Sequence, residues 1–163
     1  MTTVNLLQTE INSVIALYSN GQIQEALNTV ETLIKNYPDE PLLYNISGAC
    51  YASLGQFDRA VRFYDQALII KPDYAEAHYN LAGILQEHGQ LDAAVKSYQK
   101  SLAIKPDYAE AHNNLGNVLK DLEQLDAAVK SYKNAIAIKP DYVEAHYSLG
   151  NTHQELGQLH DAV

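Results

Sequence analysis

Prolines recur in this chain at a fixed interval. Pro38, Pro72, Pro106 and Pro140 each lie 34 residues after the one before. Single alanines and glycines keep the same interval, at Ala26, Ala60, Ala94, Ala128 and Ala162, and at Gly21, Gly55, Gly89 and Gly157. A 34-residue period is typical of proteins built from stacked pairs of helices. The sequence therefore predicts a helical array, a class that mostly holds other proteins and rarely performs chemistry.

The period divides the chain into four complete repeats and part of a fifth. We number them one to five, with the ranges 7–40, 41–74, 75–108, 109–142 and 143–163. In repeat three, apolar residues at helical spacing end at Gly89, resume at Leu91 and stop before Pro106. Glycine commonly follows a helix end and proline cannot continue a helix, so each repeat is predicted to be two antiparallel helices.

Residues 1–163 are thus expected to form a single all-α array. By register, the second helix of repeat five begins only a few residues before Val163. A helical array normally finishes with a polar-faced cap, so we expect this chain to be the N-terminal part of a longer protein.

Three kinds of local signal refine the prediction. An Asp-x-x-Glu spacing precedes three first helices, which predicts a capping box at Asp73/Glu76, Asp107/Glu110 and Asp141/Glu144. The alanines of the period are expected where two helices approach closely, so that larger side chains would overpack. Glu123 stands where the other repeats have glycine, and a left-handed turn there would cost about 1 kcal/mol relative to glycine.

This pattern resembles the tetratricopeptide repeat. The residues of repeat three that carry the resemblance are Leu81, Ala82, Leu85, Gly89, Ala94, Tyr98, Ser101 and Pro106. The resemblance extends over about residues 7–163 and implies a right-handed superhelical α-solenoid. It departs from the family at the fourth position of the later repeats, where His78, His112 and His146 replace the usual aromatic residue.

The resemblance also implies a binding surface, because the first helices of such repeats line a concave groove. It places the second, fifth, sixth, ninth, twelfth and thirteenth positions of each repeat there. Repeats three and four differ mainly in their first helices, as a constant scaffold with a varied binding face would; drift at exposed positions would give the same pattern. The candidate peptide-binding residues are Asn45, Glu76, Tyr79, Asn80, Gln86, Glu110, Asn113, Asn114, Asn117, Lys120, Tyr147 and Asn151.

Asparagines are prominent in this set, and Asn12, Asn80 and Asn114 share one register. An asparagine amide both donates and accepts, so it can pair with a peptide backbone. The stretches NLAGILQEHGQLDAA and NNLGNVLKDLEQLDAA are similar to repeats of O-linked N-acetylglucosamine transferases, whose inner wall carries an asparagine ladder. Replacing Asn80 and Asn114 by alanine is expected to weaken a peptide held by its backbone.

Charge narrows the partner class. The chain has a formal net charge of −9 with scattered lysines and arginines, which argues against nucleic-acid or anionic-membrane partners. Lys120 is the one basic residue among the candidate groove positions of repeats two to five, so a neutral or basic peptide is expected to bind better than an acidic one. The sequence has no apolar run of membrane-spanning length and no signal-peptide pattern, so a cytoplasmic location is predicted.

Residues that could perform chemistry are sparse. Cys50 is the single cysteine, has no neighbouring base in the sequence, and is expected to be a buried structural thiol. His78, His112 and His146 share a register, but stacked helices lie about 8–10 Å apart and zinc–nitrogen bonds are about 2.0–2.1 Å long. We therefore predict no catalytic site, no metal and no cofactor in this segment.

These observations favour a protein-interaction scaffold that binds an extended peptide. Two alternatives remain open at this point. The array is the substrate-recruiting arm of a larger group-transfer enzyme, such as a glycosyltransferase, or it is a module that self-associates through an uncapped C-terminal end. The mass of the natural gene product separates the recruiting arm from a stand-alone adaptor.

Overall fold

A computed structural model of the chain describes residues 3–161, and the side chains of residues 6–157. It contains helices joined by short turns. We number them α1 to α9, with the bounds Thr3–Ser19, Ile23–Asn36, Pro41–Ser53, Phe57–Ile70, Ala75–Glu87, Leu91–Ile104, Ala109–Asp121, Leu125–Ile138 and Val143–Asp161. Odd-numbered helices are the first helices of the repeats, and α2, α4, α6 and α8 are the second helices. The predicted all-α architecture of helix pairs is confirmed.

Internal contacts divide the chain into two compact parts, Met1–Ile84 and Leu85–Val163, and the boundary lies within α5. In the N-terminal part, α2 packs on α1 and α3, α3 packs on α4, and the first helices α1 and α3 also touch. In the C-terminal part, α7 packs on α6 and α8, and α9 packs on both α8 and α7. Each part therefore brings the first helices of successive repeats together.

The turn within each of the first three repeats uses a left-handed glycine, as predicted. Gly21, Gly55 and Gly89 have φ angles of 77°, 70° and 71°. After Gly55, the Gln56 amide donates to the Tyr51 carbonyl at 2.9 Å, and Gln90 donates to Leu85 in the same way. This six-to-one hydrogen bond satisfies a carbonyl at the end of the first helix and needs a residue with positive φ.

Glu123 makes the same turn without being glycine. Its φ angle is 58°, and the amide of Gln124 donates to the Leu119 carbonyl at 2.8 Å. The left-handed turn considered for this position is therefore present. The Cβ atom makes this conformation unfavourable for glutamate, so the turn of repeat four holds a local strain that the other repeats avoid.

Small residues allow a tyrosine to pack against the first helix of its repeat. Tyr64 and Tyr132 are buried, and a Cβ atom on Gly48 or Gly116 would lie 2.6 Å or 2.5 Å from the corresponding tyrosine ring. The predicted close-packed alanines Ala26, Ala60, Ala94 and Ala128 are all fully buried. Ala162 lies outside the described residues. Helix separation within a pair is thus set by glycine against tyrosine as well as by the alanines.

The predicted capping boxes are wrong at α7. The residue that precedes this helix is Tyr108, and its side chain makes no capping hydrogen bond. The first backbone bond of α7 runs from His112 to the Tyr108 carbonyl, which leaves Asp107 one residue outside the cap position. The equivalent bonds, from His78 to Tyr74 and from His146 to Tyr142, set the same register. A carboxylate cap occurs at α3, where Glu40 accepts a hydrogen bond from the Leu42 amide at 3.3 Å.

The turn expected at Gly157 is also wrong. α9 continues through this residue to Asp161, and Gly157 does not have the positive φ angle of the other three period glycines. Glycine permits a left-handed turn but does not impose one. In repeats one, two and four a second helix packs against the first and holds the turn closed.

We expect Glu123→Gly to raise the free energy of unfolding by about 1 kcal/mol, because glycine adopts the left-handed conformation without strain. Urea unfolding followed by circular dichroism measures the change. Glu123→Ala is the matched control, since it removes the charge but keeps the Cβ atom, and it should leave stability nearly unchanged. Equal stabilisation by alanine would assign the effect to charge instead of backbone strain.

A methyl group at Gly116 should overpack the core. We expect Gly116→Ala to be about 1–3 kcal/mol less stable than Gly150→Ala, which occupies the same repeat position on α9. A Cβ atom on Gly150 would meet nothing within 4 Å, so this control reports the helix propensity gained from alanine alone. Similar unfolding free energies for the two variants would show that the Tyr132 ring moves aside freely.

Candidate functional site

Candidate residues on neighbouring first helices of the N-terminal part contact each other directly. The Asn80 amide donates to the Asn45 side-chain oxygen at 3.0 Å, which joins α5 to α3. The Tyr18 and Ser53 hydroxyls lie 3.0 Å apart and join α1 to α3. Tyr18 was not among the predicted residues, although its register position, the twelfth, was. The first-helix positions that the sequence selected therefore do face one another within this part.

The C-terminal part has an equivalent polar connection. Lys120 on α7 forms an ion pair with Glu155 on α9, with a nitrogen–oxygen distance of 2.8 Å. We define the α7–α9 surface by seven of the predicted positions on these two helices that solvent reaches: Glu110, Asn114, Lys120, Glu144, Tyr147, Asn151 and Glu155. On α9, Glu144, Tyr147 and Asn151 follow at intervals of three and four residues, which places them along one helix face.

Three of the predicted residues serve the protein interior. Asn113 is 5% exposed, and its amide donates to Asn114 while its oxygen has no hydrogen-bond partner among the described residues. The Asn117 oxygen accepts a hydrogen bond from the buried Tyr132 hydroxyl at 2.9 Å. Gln86 accepts one from Tyr98 at 3.3 Å. Asn117 and Gln86 thus stabilise packed tyrosines, and Asn113 is buried, roles that the sequence pattern could not distinguish from peptide binding.

Burial also affects the phenols near this face. It raises the pKa of Tyr132 to about 12, although hydrogen bonds with Thr152 and Ser148 lower it in part. Burial likewise raises the pKa of Tyr74 to about 12, and a hydrogen bond with Asn45 opposes the increase. Asn45 therefore interacts with both Tyr74 and Asn80, which makes it part of the internal polar network.

The outward-facing candidates are mainly acidic. Glu76, Glu110 and Glu144 occupy the second position of repeats three to five and are exposed, while Tyr79 is half-buried. Tyr147 is 71% exposed, an unusual environment for so large an aromatic ring. Lys120, the single predicted cation, is already paired with Glu155. The α7–α9 surface thus offers carboxylates, amides and one exposed tyrosine.

Most of the chain matches known repeat families. Residues 48–89, 84–122 and 116–157 match the family described as TPR repeat, and residues 13–40 match the family described as Tetratricopeptide repeat. The chain belongs to the tetratricopeptide-repeat family.

Individual relatives share single stretches or the fold. The peroxisomal targeting signal receptor of Candida glabrata is 31% identical over 65 residues, which is 40% of this chain and 11% of the receptor. The MamA 41-end structure from Desulfovibrio magneticus RS-1 superposes with a TM-score of 0.82 at 23% identity, covering 93% of this chain and 85% of that one. The first TPR of Spaghetti (RPAP3), solved with an HSP90 peptide, superposes with a TM-score of 0.71 at 22% identity, covering 72% of this chain and 94% of that one.

The histidines at the fourth position of the tetratricopeptide repeats have a structural role. Nε2 of His78, His112 and His146 lies 3.0, 3.0 and 2.8 Å from the carbonyl oxygens of Pro72, Pro106 and Pro140. In repeat two, the Tyr44 hydroxyl donates to the Pro38 carbonyl at 2.9 Å. The fourth-position side chain therefore fastens each repeat to the loop before it. Among the side chains of residues 6–157, no three from His, Cys, Asp or Glu are grouped to hold a metal ion.

A second contact holds the same loops. Lys71, Lys105 and Lys139 place their ammonium groups 5.2, 4.5 and 4.8 Å from the ring centres of Tyr74, Tyr108 and Tyr142. A cation at this distance is attracted to the face of an aromatic ring. The lysine and tyrosine of the recurrent Lys-Pro-Asp-Tyr sequence are thus explained by this contact, and at α7 the cap position belongs to Tyr108 and not to Asp107.

Two further predictions concern burial and membrane crossing. Cys50 is fully buried, as predicted for a structural thiol, and burial raises its pKa to about 11, so the reactive thiolate is strongly disfavoured. Among the described helices, none combines the length and apolar character needed to cross a bilayer.

The loop contact can be tested by exchanging side chains between repeats. We expect His112→Phe to lower the free energy of unfolding by about 1 kcal/mol, because the Pro106 carbonyl loses its hydrogen bond. His112→Tyr should lose less, since tyrosine makes the equivalent bond in repeat two. Chemical denaturation measures both. Equal losses for phenylalanine and tyrosine would contradict a role for the hydrogen bond.

Proposed function

We propose that this chain is a protein-interaction module that holds an extended segment of a partner protein against its first helices. Membership of the tetratricopeptide-repeat family supports the proposal. So do the names of similar proteins: a targeting-signal receptor recognises a segment of its cargo, and the Spaghetti domain was solved with a peptide. The matched stretch spans only 11% of the receptor, so the receptor's cargo is not transferred to this chain.

The observation that carries the proposal is the α7–α9 surface. An exposed tyrosine combines a large apolar ring with a hydrogen-bonding tip, which suits it to binding interfaces. Tyr147 lies on the same helix face as Glu144 and Asn151. A lysine or arginine side chain of a partner could contact the ring face and a carboxylate together. This arrangement favours a neutral or basic segment, as the charge of the sequence also predicts.

The asparagines do not form a uniform ladder of side chains that are all free to bind a peptide. Asn80 is bonded to Asn45 and Asn117 to Tyr132, so removing either side chain would disturb the fold as well as a ligand. Asn151 lies on the α7–α9 surface and is half-buried. The recruiting arm of a larger enzyme, the self-associating module and the cytoplasmic location remain predictions from the sequence.

The proposal is tested with a blocked eight-residue peptide of alternating lysine and valine, a composition that favours extended backbone. We expect binding to the full chain, and about tenfold weaker binding to Tyr147→Ala, equivalent to about 1.4 kcal/mol. Ile138→Ala is the control, because it removes another exposed apolar side chain, 39% exposed, from α8. Isothermal titration gives the affinities and NMR shifts locate the peptide.

Charge is tested separately. Glu110→Gln combined with Glu144→Gln should weaken the lysine peptide, whereas Asp126→Asn on α8 should not. No detectable binding, or equal losses in Tyr147→Ala and Ile138→Ala, would refute the α7–α9 surface as the site. Tighter binding of the glutamate counterpart of the peptide at this surface would refute only the preference for basic segments.

A further inference from the structure

A second surface of the N-terminal part has a different chemical character. A depression of about 710 Å³ lies on α3 and α4, and its lining includes Tyr51, Arg59, Arg62, Phe63, Asp65 and Ile69. Both arginines of the whole chain are in this set. Ile69 is 69% exposed, and the two arginines are also exposed. Positive charge and uncovered apolar surface therefore occur together on a protein whose net charge is −9.

The arginine and aromatic side chains form an ordered stack. The guanidinium of Arg59 lies 5.4 Å from the centre of the Tyr51 ring. Tyr51 in turn stacks on Phe63, with ring centres 5.0 Å apart and an angle of 25° between the rings. The Tyr51 hydroxyl donates to Glu31 at 2.6 Å, which fixes the ring in the middle of the stack. Arg59 also hydrogen-bonds with the Tyr51 hydroxyl, which uses part of its N–H edge, and the remaining N–H groups of the guanidinium can bind a carboxylate.

The other repeats show that the helix pair does not need these residues. At the positions of Arg59, Phe63 and Ile69, repeat three has Ala93, Ser97 and Ala103, and repeat four has Ala127, Ser131 and Ala137. These two repeats form the same helices with small side chains. Arg59, Phe63 and Ile69 are therefore additions that the helix pair does not require, whereas the position of Arg62 is also basic in repeats three and four, as Lys96 and Lys130.

We propose that this depression is a second binding site, for an acidic peptide segment in which a carboxylate lies next to an aliphatic or aromatic side chain. Arg59 and Arg62 bind the carboxylate, and Phe63 and Ile69 receive the apolar side chain. Among the lining residues Asp65 opposes the two arginines, and the nearby Glu31 carboxylate accepts from the Tyr51 hydroxyl, so recognition of a carboxylate rests on the N–H groups of the arginines and not on an excess of positive charge. The site is separate from the α7–α9 surface and has the opposite charge preference.

The experiment uses the full chain and a blocked six-residue peptide containing two glutamates followed by leucine and phenylalanine. NMR titration at low salt is expected to shift the amides of α4 and the methyl groups of Ile69. Arg62→Glu should weaken binding at least about fivefold. Lys96→Glu is the matched control, since Lys96 occupies the same repeat position in repeat three and the variant changes net charge equally; its affinity should stay within about twofold.

Two further arms test the nature of the ligand. Ile69→Ala should weaken the peptide without affecting its glutamine counterpart, which should bind poorly to every variant. Circular dichroism confirms folding of each variant, as expected for exposed positions. The proposal is overturned by absence of binding, by equal losses in Arg62→Glu and Lys96→Glu, by shifts confined to α7 and α9, or by inorganic phosphate displacing the peptide at matched concentration.

Discussion

The contact between a buried tyrosine and a glycine of the preceding helix sets the geometry of each complete helix pair in which it occurs. Gly48 lies against Tyr64 and Gly116 against Tyr132, with no room for a methyl group between them. The ring fills the space between the helices, so its hydroxyl emerges near the polar face of the first helix. There Tyr132 bonds to Asn117, which connects the packed interior to the surface on which partners are proposed to bind.

The loops between repeats depend on a different device. Their proline carbonyls accept from the fourth-position side chain, and their lysines lie over the tyrosine that precedes the next helix. The two contacts explain why the lysine and tyrosine of the loop sequence recur. They also explain how histidine replaces the aromatic residue usual in the family, because both side chains can reach and donate to the same carbonyl.

The sequence predicts the scaffold well because its signals are local and repeated. Helix spacing, the turn glycines, the left-handed Glu123 and the burial of Cys50 all follow from residue type and register. The turn predicted at Gly157 is wrong because a glycine permits a left-handed turn without imposing it. The capping box predicted at Asp107 is wrong because a cap depends on the exact first residue of the helix. The repeat pattern does not determine that residue to within one position.

The candidate site is less predictable, since side-chain partners are set by three-dimensional contacts. Register places Asn80, Asn113 and Asn117 at groove positions of their first helices. It cannot show that Asn80 and Asn117 hydrogen-bond to other side chains of the protein, or that Asn113 is buried. The stack of Arg59, Tyr51 and Phe63 joins two helices, and no spacing within either helix signals it. Comparison between repeats could have drawn attention to it, because repeats three and four have alanine and serine at the positions of Arg59 and Phe63.

The histidine contacts determine which ring nitrogen of each histidine has the hydrogen. A carbonyl oxygen can only accept, so the ring nitrogen facing it must have a hydrogen, which fixes the neutral tautomer of His78, His112 and His146 as the Nε2–H form. The doubly protonated imidazolium has that same hydrogen. Each of these loop contacts therefore requires only the Nε2 hydrogen, which the neutral Nε2–H tautomer and the imidazolium both have.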